Sequence, residues 1–112
     1  MTELPLTAGA LARHGLAELH LPVDDLSPPS PAQLADALDF IDRHTAWGRA
    51  VAVHCLMGQG RTGTVLAAWL IRSGQTCAEA ITDLRAVCPG ALSSPSQERA
   101  LEVFAGRRDW IL

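Results

Sequence analysis

The stretch Ala50–Gly63, AVAVHCLMGQGRTG, constrains this chain more than any other. Four small apolar residues, Ala50 to Val53, suit a strand buried on both faces, and the apolar segment after Thr62 suits a helix packed against it. Between them lies a loop that begins at Cys55, carries Gly58 and Gly60, and closes on Arg61. A loop at a strand's carboxyl end that feeds a helix N-terminus faces unpaired backbone N–H groups and the positive end of the helix dipole. The stretch therefore predicts an anion cradle with a cysteine at its edge.

Outside that stretch the pattern is mostly helical. Ser30-Pro31-Ala32-Gln33 opens a helix with an N-cap, a proline at the first helical position and a capping-box glutamine. It runs to about Trp47, stops at Gly48, and buries Leu34, Leu38, Ile41 and Phe40. Thr62 to Ser73 is apolar nearly all round, which places it in the middle of the domain, with Gly74 as its stop. Thr76 to Glu79 opens a third helix with Ala80, Ile81, Leu84 and Val87 on one face, ending before Pro89-Gly90. A further box, Ser94 to Gln97, opens the last helix, with Leu101, Phe104 and Ala105 inward. Thr7 to His14 is a short candidate helix. Leu16 to Val23 alternates as a strand, with Leu19, Leu21 and Val23 on one face and Pro22 marking an edge or an end. Asp24-Asp25-Leu26-Ser27-Pro28-Pro29 is a loop stiffened by its proline pair.

These elements predict one α/β domain over residues 1–112, in three layers. A short, mainly parallel sheet has the Thr62 helix and the later helices on one side and the Ser30 helix on the other. With 48% hydrophobic and 19% charged residues the chain is globular rather than disordered. A net charge of −3 supplies no basic field for nucleic acid or an anionic membrane, so neither is an expected partner. No secretory leader pattern and no spanning apolar run are visible, which makes the cytoplasm the expected compartment. The three cysteines, Cys55, Cys77 and Cys88, have no metal-type spacing and fit reduced thiols.

The chemistry of the loop follows position by position. A cysteine that attacks a phosphoester must be a thiolate, and loop N–H groups, the helix dipole and Arg61 all favour the anion at Cys55. Six residues on, Arg61 closes the loop on a tetrahedral oxyanion with a bidentate fork. Leu56, Met57, Gly58, Gln59 and Gly60 contribute the phosphate-facing backbone, and Gly58, Gly60 and Gly63 permit close approach or positive φ. The Thr62 hydroxyl is placed to hydrogen-bond the Cys55 sulfur, and His54 to order the loop. His14, His20 and His44 have no ligand partners at useful spacing and read as surface or strand-face residues. Trp47, Trp69 and Trp110 read as core or surface anchors. No metal and no cofactor are expected.

The segment His54 to Gly63 resembles the HCxxGxxRTG signature of cysteine-dependent protein tyrosine and dual-specificity phosphatases. A Cys and an Arg at this spacing arise by chance; His, two glycines and Thr in the same register do not. Leu84 to Gly90, LRAVCPG, resembles that family's IRxxRPG segment, with Cys88 in place of its second arginine. The resemblance runs from about Leu19 to Phe104 and implies the family's fold in an N-terminally reduced form. It also implies a two-step, metal-independent hydrolysis through a phosphocysteine at Cys55. Asp25, in VDDLSPP, falls where small members carry their general acid, and Asp24 competes for that role. Gln97 falls where small members carry a glutamine that positions the hydrolytic water, and it reads equally as a capping residue. The implied substrate is a phosphorylated protein or a small aryl phosphate, with phosphate-like anions as loop ligands. Leu56, Met57 and Gln59 are neutral where phosphoinositide-preferring members tend to carry lysines. The chain is shorter than the domains it resembles, the missing length lying before Leu16, where a substrate-gripping loop normally sits. Two other classes remain: a weak or inactive phosphate-binding module, and a rhodanese-like sulfurtransferase using the same cysteine.

Overall fold

The computed structural model describes residues 15–55 and 60–106. The short helix expected over Thr7 to His14, and Trp110, lie outside them. Among the described residues four helices follow one another: α1 Pro31–Ala46, α2 Gly60–Arg72, α3 Cys77–Val87 and α4 Pro95–Gly106.

Local chemistry sets their ends. At α1 the Ser30 hydroxyl accepts from the Gln33 amide at 3.1 Å and the Gln33 side chain accepts from the Ser30 amide at 3.0 Å. That reciprocal pair satisfies two of the amides a helix start leaves bare. The same Gln33 side chain donates to the Pro22 carbonyl at 2.9 Å, tying the helix start to the segment before it. At the other end Gly48 takes φ +75°, its amide donating to Thr45 and that of Arg49 to His44. This is a Schellman stop, and it requires a residue tolerant of the left-handed region. Gly74, at φ +117°, ends α2 with the same pair of bonds, to Ile71 and Leu70. Thr76 and Glu79 form the box that opens α3. The box expected at α4 is only half formed. The Ser94 hydroxyl accepts from the Gln97 amide at 3.4 Å, but the Gln97 side chain turns away to the Ser93 amide at 2.8 Å.

Helix α2 lies at the centre and packs against each of the other three. Leu34, Leu38, Val65, Ala68, Leu101 and Phe104, drawn from α1, α2 and α4, share one core cluster. Ala67 and Ala68 are fully buried, and side chains that small let the neighbouring helices approach closely. Arg72 joins α2 to α1 through the Leu38 carbonyl and the carboxylates of Asp39 and Asp42.

Two expectations are corrected, and a third, the parallel sheet, is not confirmed. Among the described residues no strand ladder forms, so the parallel sheet is not seen there. Along the extended segment 49–55, Val51 and Val53 are half-buried against the core while Ala50, Ala52 and His54 are exposed. Burial on both faces needs a layer on each side, and α1, expected to supply the second, packs directly on α2 instead. On α3 only Ala80 is fully buried, and Val87 is 88% exposed while Leu84 in the same turn packs against the core. His44, read as a surface residue, is buried, its ring 4.3 Å from that of Phe40 and 5.5 Å from that of Trp47. Trp47 itself is 63% exposed, with the Arg49 guanidinium 5.6 Å over its ring, and Trp69 stands exposed on α2.

Candidate active site

Cys55 is the last described residue of the extended segment, and its alternating register fixes it to the core through Val51 and Val53. Leu56, Met57, Gly58 and Gln59 lie outside the described residues. Helix α2 begins at Gly60, two residues earlier than the expected start at Thr62, so Gly60, Arg61 and Thr62 form its first turn and all are buried. The Thr62 hydroxyl donates to the Cys55 sulfur at 3.0 Å. The expected threonine–cysteine contact is therefore present, and it holds the sulfur beside a helix N-terminus.

Arg61 is only 2% exposed. Its guanidinium donates to the Val23 carbonyl at 2.8 Å and stands 3.9 Å from the Asp25 carboxylate. A desolvated guanidinium attracts an anion more strongly than one in water, because the screening around it is weaker. The structure thus sets Cys55 on Thr62 and Asp25 near Arg61, from two successive residues of the first turn of α2. Asp25 is 68% exposed, so its carboxylate reaches solvent as well as Arg61. Asp24 is exposed too, and its described contact is through the backbone, its carbonyl accepting from the Ser27 amide at 3.1 Å. His54 is exposed and lines a trench of about 570 Å³ between segments 15–21 and 49–54, on a wall that Cys55, Arg61 and Asp25 do not share.

Gln97 is completely buried beneath α2. Its amide oxygen accepts from the Ser93 amide and its amide nitrogen donates to the Ser27 carbonyl at 3.3 Å. A Cβ at Gly60 would fall 2.9 Å from that nitrogen and 2.9 Å from the Ser93 hydroxyl. Glycine is needed there because the glutamine occupies the space. Gly63 is similarly close-packed, a Cβ there falling 3.2 Å from the Leu92 backbone nitrogen.

A thiol next to a helix N-terminus, a hydroxyl donor on its sulfur, a buried arginine and a carboxylate beside it make a site for a tetrahedral oxyanion with a nucleophile at its base. The comparisons agree with that chemistry. The family described as a polymorphic toxin system DSP-PTPase phosphatase matches residues 3–75, well over half of the chain. The chain belongs to the DSP-PTPase phosphatase family. Its backbone is similar to that of a protein tyrosine phosphatase: the crystal structure of Tk-PTP in its active form superposes with a TM-score of 0.88 at 36% identity, covering 94% of this chain and 72% of that one. Phosphatidylglycerophosphate phosphatase PTPMT2 of Arabidopsis thaliana is 35% identical over 83 residues, 73% of this chain and 36% of that protein. Human protein tyrosine phosphatase type IVA 3 is 35% identical over 86 residues, 75% of this chain and 50% of that protein. The chain spans half or less of the length of these two curated relatives.

Within this DSP-PTPase site, two sets of residues escape the sequence. Arg85 donates to the Ala91 and Leu92 carbonyls and pairs with Glu98 at 2.9 Å, so it fastens the loop after α3 to α4. Ser94 and Ser96 both contact the Leu26 carbonyl, at 2.6 and 3.2 Å. A serine pair at a helix start reads as capping, and nothing in its spacing points to a partner nearly seventy residues earlier.

Proposed function

We propose that this chain hydrolyses phosphomonoesters through a phosphocysteine at Cys55. The observation that carries the reading is one cluster: the Cys55 sulfur on the Thr62 hydroxyl at 3.0 Å, with Arg61 buried in the same helical turn and 3.9 Å from Asp25. Cys55 attacks phosphorus in line. The loop amides after Cys55 hold the equatorial oxygens with Arg61 as charge builds on them. Asp25, protonated, gives its proton to the departing oxygen. The phosphocysteine is then attacked by water, whose proton returns to Asp25, and phosphate leaves as the Thr62 hydroxyl stabilises the restored thiolate. The loop and Arg61 supply the positive charge the transition state needs, so the scheme requires no metal. Asp25 takes the acid role over Asp24 because its carboxylate is the one beside Arg61. Gln97 also holds the backbone at Ser27 and Ser93 through its side-chain amide.

The substrate that fits best is a phosphotyrosine-type ester on a protein, or a small aryl phosphate. Its support is the neutral trio Leu56, Met57 and Gln59 together with the likeness to human tyrosine phosphatase type IVA 3. A second reading, a phospholipid monoester, is favoured by the likeness to PTPMT2, a protein named for phosphatidylglycerophosphate. Steady-state hydrolysis of an aryl phosphate, a phosphotyrosine peptide and phosphatidylglycerophosphate in vesicles tests both. Cys55→Ser should abolish turnover of whichever is used while leaving tungstate binding. Asp25→Asn should lower kcat by about 10²-fold or more and remove the basic limb of the pH profile, in line with the usual contribution of a general acid. Asp24→Asn should change kcat by less than about 3-fold, well below that contribution. Full-rate hydrolysis by Cys55→Ser would sink the mechanism.

A further inference from the structure

The candidate acid sits at the tip of a short loop whose geometry is imposed from elsewhere. Leu26, next to Asp25, has φ +64°, in the region that L side chains avoid, and its own side chain is 54% exposed. Burial of Leu26 therefore does not hold the loop in this shape. Hydrogen bonds to its backbone do. The Leu26 carbonyl accepts from the Ser94 hydroxyl at 2.6 Å and from the Ser96 hydroxyl at 3.2 Å, and the two hydroxyls stand 3.0 Å apart. One residue on, the Ser27 carbonyl accepts from the buried Gln97 amide. Within the loop the Leu26 amide donates to the Asp25 carboxylate at 2.9 Å, and the Ser27 amide to the Asp24 carbonyl. The start of α4 thus grips two successive carbonyls immediately after the acid, while Arg61 grips the Val23 carbonyl on the other side.

We infer that Ser94 and Ser96 are positioning residues for proton transfer: their hydroxyls latch the Leu26 carbonyl and keep the Asp25 carboxylate over the site beside Arg61. The inference rests on the phosphatase reading and adds to it how the acid is placed. With the latch intact, Leu26 remains left-handed and Asp25 stays within reach of the leaving oxygen. Without it Leu26 relaxes to an ordinary conformation and the carboxylate swings toward solvent, which its exposure permits. Such a loss weighs most on esters whose leaving group cannot depart as an anion unaided.

The test uses Ser94→Gly with Ser96→Ala in one protein. Glycine is tolerated at an N-cap, so α4 keeps its start while both hydroxyls are removed. Backbone amide exchange over residues 24–27, followed by mass spectrometry, should rise at least several-fold in this variant. The value of kcat/KM should fall about 10-fold for phenyl phosphate and less than 2-fold for an ester of a strongly acidic phenol, so that rate depends more steeply on leaving-group acidity. Ser94→Thr with Ser96→Thr, which restores the hydroxyls, should recover both readouts. Unchanged exchange over 24–27 would overturn the latch. Faster exchange with an unaltered leaving-group dependence would overturn its role in proton transfer. A wild-type protein that turned over none of these phosphates would defeat the phosphatase reading instead, and the exchange comparison alone would then decide whether the serines hold the loop.

Discussion

Two thiols in this chain have opposite surroundings. Cys55 receives a hydroxyl proton and lies beside a helix N-terminus, where negative charge is favoured. Burial pushes the Cys77 thiol up from its usual 9.0, and the carboxylates of Glu102 and Glu98 push it further the same way. The folded chain therefore holds the Cys77 proton more tightly than the unfolded chain does. The stability this contributes is full below the unfolded thiol's pKa and is lost as the pH rises through the raised folded value. At pH 8 iodoacetamide should label Cys77 several-fold more slowly in the folded protein than in urea, with Glu102→Gln speeding the folded reaction; mass spectrometry of timed digests reads both. The contact of Thr62 with Cys55 was legible in the sequence because it depends on residues within one strand, loop and helix turn. Gln97 was legible as a position but not as a contact, since the side chain that would have closed a capping box is drawn to Ser93 and Ser27.

At the scale of elements, helix ends follow their local signals and helix faces follow their neighbours. Ser30, Thr76, Gly48 and Gly74 act as caps because the bonds they make lie within a few residues. Whether Val87 is covered, or on which side α1 packs, depends on contacts between segments far apart in sequence, and there the expectations fail. The seam between α2 and the loop after α3 is one such contact. Gly63 faces the Leu92 backbone, and Leu92 is itself left-handed, at φ +64°, with its carbonyl held by Arg85. Alanine is favoured over glycine inside a helix by about 1 kcal/mol. At Gly63, overpacking against a backbone that is tied in place should outweigh that gain, since such insertions cost about 1–3 kcal/mol. Gly63→Ala should therefore lower the urea midpoint rather than raise it, and relief by a companion Arg85→Ala would confirm that the Arg85 tether makes the seam rigid.

Across the whole molecule, one core joins elements that are separate in sequence. Leu101 on α4 is fully buried in the cluster that Leu34 and Leu38 of α1 and Val65 of α2 also form. Leu101→Ala should cost between about 2 and 5 kcal/mol. For a chain of this size that lowers the melting midpoint by roughly 10 °C or more. The loss should appear as one displaced transition in far-ultraviolet circular dichroism rather than as early melting of α4 alone. The choice of dichroism follows from the placement of the indoles. The chain has no tyrosine, and two of its three tryptophans, Trp47 and Trp69, already face water in the folded state. With Trp47 63% and Trp69 38% exposed before unfolding begins, their emission should shift only modestly, so the protein's own fluorescence is a dim witness to its folding. A reporter dye or a tryptophan introduced at a core position such as Phe104 would give the molecule an optical signal of its own.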